Sequence, residues 1–217
     1  MIDPAEVASR VADIRNDIAR LASHHVSLVA VTKTFPVQAW QVAQSAGCDA
    51  VGENYAQELL EKVRQRPAGL PIHFVGAVQS NKVKSLASHV DLWHSVDRAS
   101  VVNEIGRRAT GAAVLLQVNT TGEDSKSGVS PAQLDALRTR AVDAGLQVRG
   151  LMTLGPTQGT EADIRASFTQ LRSLADQHDL VECSMGMSGD YRIALECGST
   201  IIRIGSMLFG PRSSVGP

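Results

Sequence analysis

Short apolar, β-branched runs recur along this chain, at residues 28–31, 49–52, 72–75, 91–96, 113–118, 146–152, 180–184 and 200–204. Runs of this length and composition predict strands buried on both faces. Ahead of them, residues 4–22 place Val7, Val11, Ile14, Ile18 and Leu21 at three- and four-residue steps. That spacing predicts an amphipathic helix, with Pro4 at its first position and Asp3 as N-cap. Helical spacing also fills 37–46, 56–66, 131–144 and 161–177, and Gly47, Pro67 and Gly145 stand where such helices stop. Eight strands alternating with helices predict an α/β fold with a parallel sheet, and eight is the number that closes a (β/α)8 TIM-type barrel. An open doubly wound sheet is the alternative. The 217 residues are few for a barrel, which usually takes about 250, so short connections are expected. No linker or low-complexity tract interrupts the pattern, so one domain over 1–217, with an extra N-terminal helix, is expected.

Composition narrows the function classes. The chain is 43% hydrophobic and 20% charged, with net charge −1, which suits a packed core and excludes a disordered chain. Lys and Arg are interspersed with Asp and Glu, and aromatics are only 4%. No basic stripe or stacking platform for nucleic acid emerges. Cys48, Cys183 and Cys197 are odd in number and lack CxxC spacing, so neither a disulfide framework nor a zinc site is expected. The first residues carry no basic-then-apolar leader pattern, and no apolar stretch is long enough to span a membrane. A cytoplasmic protein is expected.

Several common motifs are missing. No Gly-x-Gly fingerprint, Walker loop or HExxH occurs, and Gly186-Met187-Ser188-Gly189-Asp190 lacks the spacing of a nucleophile elbow. His73 and His94 fall inside strands, where a satisfied interior imidazole is the default. The longest polar stretch, residues 119–128, follows the fifth strand. It is either one of the functional loops of a barrel or a solvated connection.

The candidate chemistry lies at opposite ends of the chain. Lys33 closes the first strand, where a barrel side chain points into the mouth. An apolar flank would desolvate its ammonium and favour the neutral amine that imine formation needs. After the last two strands come Gly186–Asp190, opening a helix, and Gly205-Ser206. Gly205 lets the backbone approach an anion, Ser188 and Ser206 offer hydroxyls, and nearby helix N-termini offer N–H groups. An amine and a phosphate cradle together are the two halves of a pyridoxal phosphate site. Arg203 sits within an otherwise apolar strand and needs a partner. That partner is either an acid such as Glu53 or the pyridine nitrogen of the cofactor, where a fixed positive charge keeps the nitrogen unprotonated.

These segments resemble the family of pyridoxal phosphate homeostasis proteins over nearly the whole chain. The resemblance is carried by residues 30–34 (AVTKT), 52–58 (GENYAQE), 73–82 (HFVGAVQSNK), 125–128 (SKSG), 184–190 (SMGMSGD) and 198–210, in this order and spacing. It implies a barrel of the alanine-racemase type (fold type III among pyridoxal phosphate proteins) without the second, β-rich domain. It implies a covalent Schiff-base link of the cofactor to Lys33, phosphate contacts near Ser188, Gly205 and Ser206, Arg203 at the pyridine nitrogen, and Asn54 as a pocket residue. Ala77-Val78 stands for a more usual Pro-Leu, Phe35 for a second lysine of many relatives, and Ser206 for a common threonine. The family implies buffering and delivery of the cofactor, with apo-enzymes as recipients, rather than catalytic turnover.

The rival expectation is an amino-acid racemase, which needs a base on each face of the substrate. Lys33 serves one face. Alanine racemases supply a tyrosine for the other, whereas here Tyr55 and Tyr191 are the only tyrosines and ordinary packing is expected of both. A more distant rival is an aldolase using Lys33 alone. A monomer is expected.

Overall fold

The computed structural model describes residues 2–65 and 69–210. Helix α1 (Pro4–Leu21) starts where its cap residues stand. The Asp3 carboxylate accepts from the N–H groups of Ala5 and Glu6, and Pro4 occupies the first turn. Its Val7, Val11, Ile14 and Ile18 stripe is buried, while Leu21 is only partly so.

The strands are β1 (Ser27–Val31), β2 (Ala50–Glu53), β3 (Ile72–Phe74), β4 (Leu92–Val96), β5 (Ala113–Gln117), β6 (Gln147–Met152), β7 (Glu182–Ser184) and β8 (Ile201–Ile204). Between and after them run α2 (Gln38–Ser45), α3 (Ala56–Val63), α4 (Ser80–Leu86), α5 (Ala99–Arg108), α6 (Leu134–Asp143), α7 (Glu161–Gln177), α8 (Tyr191–Glu196) and α9 (Ser206–Phe209). All eight strands pair in parallel in chain order, and β8 pairs with β1, with Val29 opposite Arg203. The barrel is closed, so the open sheet is excluded. The helix expected over 56–66 ends at Val63, and its expected stop at Arg66-Pro67 lies outside the described residues. The helix expected over 131–144 begins as a 3₁₀ turn, Pro131–Gln133, before α6.

Strand alternation builds two layers. Leu28, Ala30, Val51, Ile202 and Ile204 pack outward against the helices, in a core that also holds Phe168 and Trp93. Val29, Ala50, Leu92, Leu115, Met152 and Ile201 form a separate cluster inside the barrel. Successive side chains face opposite sides, so Lys33 continues the inward row of Val29 and Val31, and Arg203 that of Ile201. Strand β4 breaks the rule once. Its register to β5 shifts between Trp93 and Val96, which are both outward. The resulting bulge turns Ser95 inward beside His94, as bulges beside functional sites do.

Candidate functional site

The C-terminal strand ends surround a cavity of about 600 Å³, and Lys33, Asn54, Ser188, Arg203, Gly205 and Ser206 all line it. The six residues expected from the sequence, drawn from β1, β2, β7, β8 and their loops, are thus brought to one place by the fold. A more open hollow of about 850 Å³ lies beside it, over α7. It contains no lysine or arginine and none of the six.

Lys33 is half-buried. The turn beyond it is tightly fixed. Thr34 has φ 68°, and its N–H donates to Glu58 Oε2 at 2.8 Å. The Phe35 N–H returns to the Thr32 carbonyl at 3.1 Å. The Phe35 ring packs on Phe209, with centroids 5.2 Å apart. Phe35 is therefore an apolar brace between the β1 and β8 loops.

Asn54 follows β2, and its Oδ1 is buried with no partner among the described residues. Gly76, after β3, passes so close that a Cβ there would lie 2.2 Å from the Asn54 carbonyl oxygen. Only glycine allows that approach. Ser188 Oγ accepts from Ser206 Oγ at 3.2 Å and from the Met207 N–H at 3.3 Å, tying the β7 and β8 loops together. Asp190 accepts from the Met187 N–H at 2.6 Å, and burial raises its carboxyl pKa.

Arg203 is 4% exposed. Its Nη1 donates to Ser184 Oγ and its Nη2 to the Thr153 carbonyl, the latter at 2.9 Å. Burial lowers its pKa to about 10, so it stays charged at neutral pH. The alternative that Arg203 pairs with Glu53 is corrected. Glu53 faces outward and binds Lys62 Nζ at 2.6 Å. Trp40 Nε1 and the Thr32 hydroxyl also donate to Glu53 Oε1. Because Asn54 turns inward, its neighbour on the strand must turn toward the helices.

The polar stretch after β5 is fastened over the mouth. Asn119 Oδ1 accepts from the Thr121 and Gly122 N–H groups, each at 3.1 Å. Glu123 Oε1 accepts from the Thr157 N–H at 3.0 Å. The Lys126 ammonium donates to the Gly155 carbonyl and pairs with Glu123 at 3.2 Å. Ser125, Lys126 and Ser127 line the cavity, as does Gln117, whose Nε2 donates to the Ser127 carbonyl at 2.9 Å. Lys126 lies in the polar stretch 119–128 that the sequence marks as a candidate loop, whereas Gln117 ends β5 and carries no such signal. Lys33, Lys126 and Arg203 put three basic side chains on the cavity, Lys126 being paired with Glu123, and among the described residues no carboxylate lines it. Such a lining attracts anions.

Neither tyrosine lines the cavity. Tyr191 is packed as expected, its hydroxyl donating to Asp17 at 2.7 Å. Tyr55 is not packed. It is 50% exposed at the N-cap of α3, because the inward turn at Asn54 directs the next side chain to solvent. His73 and His94 are satisfied interior imidazoles, 3.0 Å apart at Nδ1 and Nε2. Among the described residues no group of side chains has the makings of a metal site, and no helix is long and apolar enough to cross a membrane. Cys48 and Cys183 are buried free thiols, and Cys197 is partly exposed.

The family model described as the N-terminal domain of alanine racemase matches residues 2–213. A pyridoxal phosphate homeostasis protein of Vibrio cholerae serotype O1 is 40% identical over 206 residues, covering 88% of this chain and 87% of its own length. The structure of PipY from Synechococcus elongatus PCC7942 with PLP bound superposes with TM-score 0.82 at 35% identity, over 94% of this chain and 100% of PipY. Alanine racemase from Corynebacterium glutamicum gives TM-score 0.76 at 15% identity, over 100% of this chain but 64% of the enzyme, a likeness of fold alone. Barrel, matched model and relatives agree that this chain belongs to the alanine racemase N-terminal domain family, among the pyridoxal phosphate homeostasis proteins.

Proposed function

We propose that this chain binds pyridoxal 5'-phosphate covalently through Lys33 and serves to buffer and deliver it, without catalytic turnover. The observation that carries the reading is a mouth cavity lined by three basic side chains, one of them Lys33 at a strand end, with no carboxylate among the described lining residues. The fit of the group is supported by Asn54 Oδ1, a buried acceptor without a partner among the described residues, which suits a donor on a bound ligand. Pyridoxal phosphate, when bound, supplies an aldehyde that condenses with the Lys33 amine with loss of water. Ser188 and Ser206 offer hydroxyls to the phosphate, and Gly205 lets the backbone approach it. Arg203 would offer a fixed positive charge to the pyridine nitrogen, disfavouring its protonation. Asn54, after β2, would help hold the ring.

Absence of turnover is supported by the tyrosines. One is committed to Asp17 and the other is exposed beyond the cavity, so the second base of a two-base inversion has no tyrosine candidate here. Lys126, the remaining amine at the cavity, is tied to Gly155 and Glu123. The partners of this reading are the cofactor and recipient apo-enzymes rather than nucleic acid, and its setting is a cytoplasmic monomer of one domain.

Borohydride reduction of the protein loaded with the cofactor, followed by peptide mapping, tests the site. The adduct is expected on the peptide containing Lys33 and is lost in Lys33→Ala, which keeps its fold because a mouth side chain contributes little core packing. A loaded protein with the adduct elsewhere overturns the assignment. Incubation with each L- and D-amino acid tests the carrier role, and measurable inversion favours the racemase instead.

A further inference from the structure

Arg203 is held from behind by side chains that do not line the cavity. Ser184 Oγ, which accepts from Arg203 Nη1, also lies 2.9 Å from His94 Nδ1. His94 Nε2 in turn lies 3.0 Å from His73 Nδ1. One connected row therefore crosses the barrel interior from β8 through β7 and β4 to β3. Ser184 and His94 are fully buried, and His73 is 9% exposed. His94 faces inward by the regular alternation of β4, following inward Leu92 and outward Trp93.

The row has one sense of donation. A guanidinium carries only donors, so Ser184 Oγ accepts from Arg203. The serine hydroxyl has one hydrogen, and its other neighbour is His94 Nδ1. If His94 donated instead, that hydrogen would be buried without an acceptor, which is disfavoured. Ser184 therefore donates to His94 Nδ1. A neutral imidazole has one N–H, so His94 donates through Nε2 to His73 Nδ1. His73 then carries its own proton on Nε2, at the end of the row farthest from Arg203.

We propose that Ser184, His94 and His73 are positioning residues that orient the Arg203 guanidinium toward the bound cofactor ring, with both histidines locked as Nε2–H tautomers. The proposal rests on the reading that pyridoxal phosphate occupies the cavity. A fixed charge acts on a neighbouring ring only if its position is fixed, and hydrogen bonds from a supporting layer of side chains are the usual means. The Thr153 carbonyl anchors the other guanidinium nitrogen, so loss of Ser184 leaves Arg203 on one anchor and free to swing.

The test uses the full chain labelled with ¹⁵N-histidine, with and without added pyridoxal phosphate. Nitrogen shifts are expected to show Nδ1 unprotonated and Nε2 protonated in both rings. Cofactor binding is expected to perturb both, although neither ring lines the cavity. A protonated His94 Nδ1, or rings unmoved by a cofactor that has bound, overturns the proposal. In Ser184→Ala the visible band of the bound cofactor shifts, its pH profile changes, and affinity falls about tenfold. Ser184→Thr, which keeps the hydroxyl, restores all three. A merely structural role would lower only the melting temperature and leave the band in place, which also overturns the proposal. Should Ser184→Ala fail to fold, the tautomers and their response to the cofactor in the unaltered chain decide. A chain that takes up no pyridoxal phosphate refutes the functional reading instead, and that outcome is seen first, before any histidine response is measured.

Discussion

Thr34, the residue after Lys33, stands at φ 68°, a region that β-branched residues rarely occupy. Its side chain is exposed, so its packing does not explain the conformation. What holds it is the N–H bond to Glu58 and the close of the turn at Phe35. Thr34→Gly should therefore raise stability by about 1 kcal/mol in urea unfolding; a loss of stability would show that the turn is unstrained. Behind the same strand end, Glu53 and Lys62 are nearly unexposed, at 0% and 6% of their side-chain surface. Lys62→Met leaves the Glu53 carboxylate buried without its cation. A loss of about 3–5 kcal/mol is expected, mostly recovered when Glu53→Gln is added, as a double-mutant cycle in urea would report. The outward position of Glu53 is legible in the sequence itself. With Asn54 in the pocket, alternation sends its neighbour to the opposite face, so a Glu53–Arg203 pair is incompatible with Asn54 as a pocket residue. The partners of Arg203 are not legible, because Ser184 and Thr153 become its neighbours only through inter-strand register.

Elements are legible in proportion to how many turns or alternations they spread over sequence. α1 and α7 are long and side-chain capped, by Asp3 and Thr160, and the apolar spacing predicts both. α4 spans only Ser80–Leu86, with Val83 and Leu86 as its buried residues, too few to display a period. α5 buries Val101, Val102 and Ile105 but has no side-chain cap and contains Gly106. That glycine weakens the helical signal. It is needed because a Cβ there would lie 2.5 Å from the Ala144 carbonyl oxygen. The bulge in β4, which turns Ser95 inward beside His94, leaves no sequence mark, whereas His94 reaches His73 by ordinary alternation across the β3–β4 pair. That strand pair carries an acid-sensitivity prediction. Burial holds His73 at about 4, with Asp91 and Asp49 opposing and Arg149 assisting. His94 lies well below its ordinary value through burial, His73 and Arg203. In the unfolded chain both ionise near about 6.5. Between about 6.5 and about 4 the unfolded state therefore binds more protons, so stability is full above that window and declines as pH falls through it. His73 alone removes about 3 kcal/mol by its lower edge, at 1.36 kcal/mol per unit. Chemical unfolding across that range should show the decline, shallower in His73→Asn; an equally steep limb in the variant would remove His73 from the explanation.

At the scale of the whole molecule, closure is what makes a site from distant sequence. The pairing of β1 with β8 brings Lys33 beside Gly205 and Ser206; a count of eight strands suggests it but leaves an open sheet as the alternative, which only the closed ladder excludes. The anionic preference of the mouth is only half visible in the sequence, because Lys126 joins Lys33 and Arg203 through a polar loop whose fastening depends on Thr157 and Gly155, far along the chain. A ligand gripped from the loops of β1, β2, β5, β7 and β8 stabilises the closed barrel and has no equivalent site in the unfolded chain. Pyridoxal phosphate at one hundred times its dissociation constant should then raise the unfolding free energy by about 2.7 kcal/mol. For a chain of this size that is about 5–10 °C in melting temperature. Two analogues divide the effect. Pyridoxine phosphate keeps the phosphate and lacks the aldehyde, so its stabilisation should be nearly equal in the unaltered chain and in Lys33→Ala. Pyridoxal keeps the aldehyde and lacks the phosphate, so its smaller shift should vanish in Lys33→Ala and persist in Ser188→Ala. Scanning calorimetry of the three proteins with the three vitamers separates the amine from the anion cradle, and equal shifts from all three vitamers would mean that neither group recognises its intended partner.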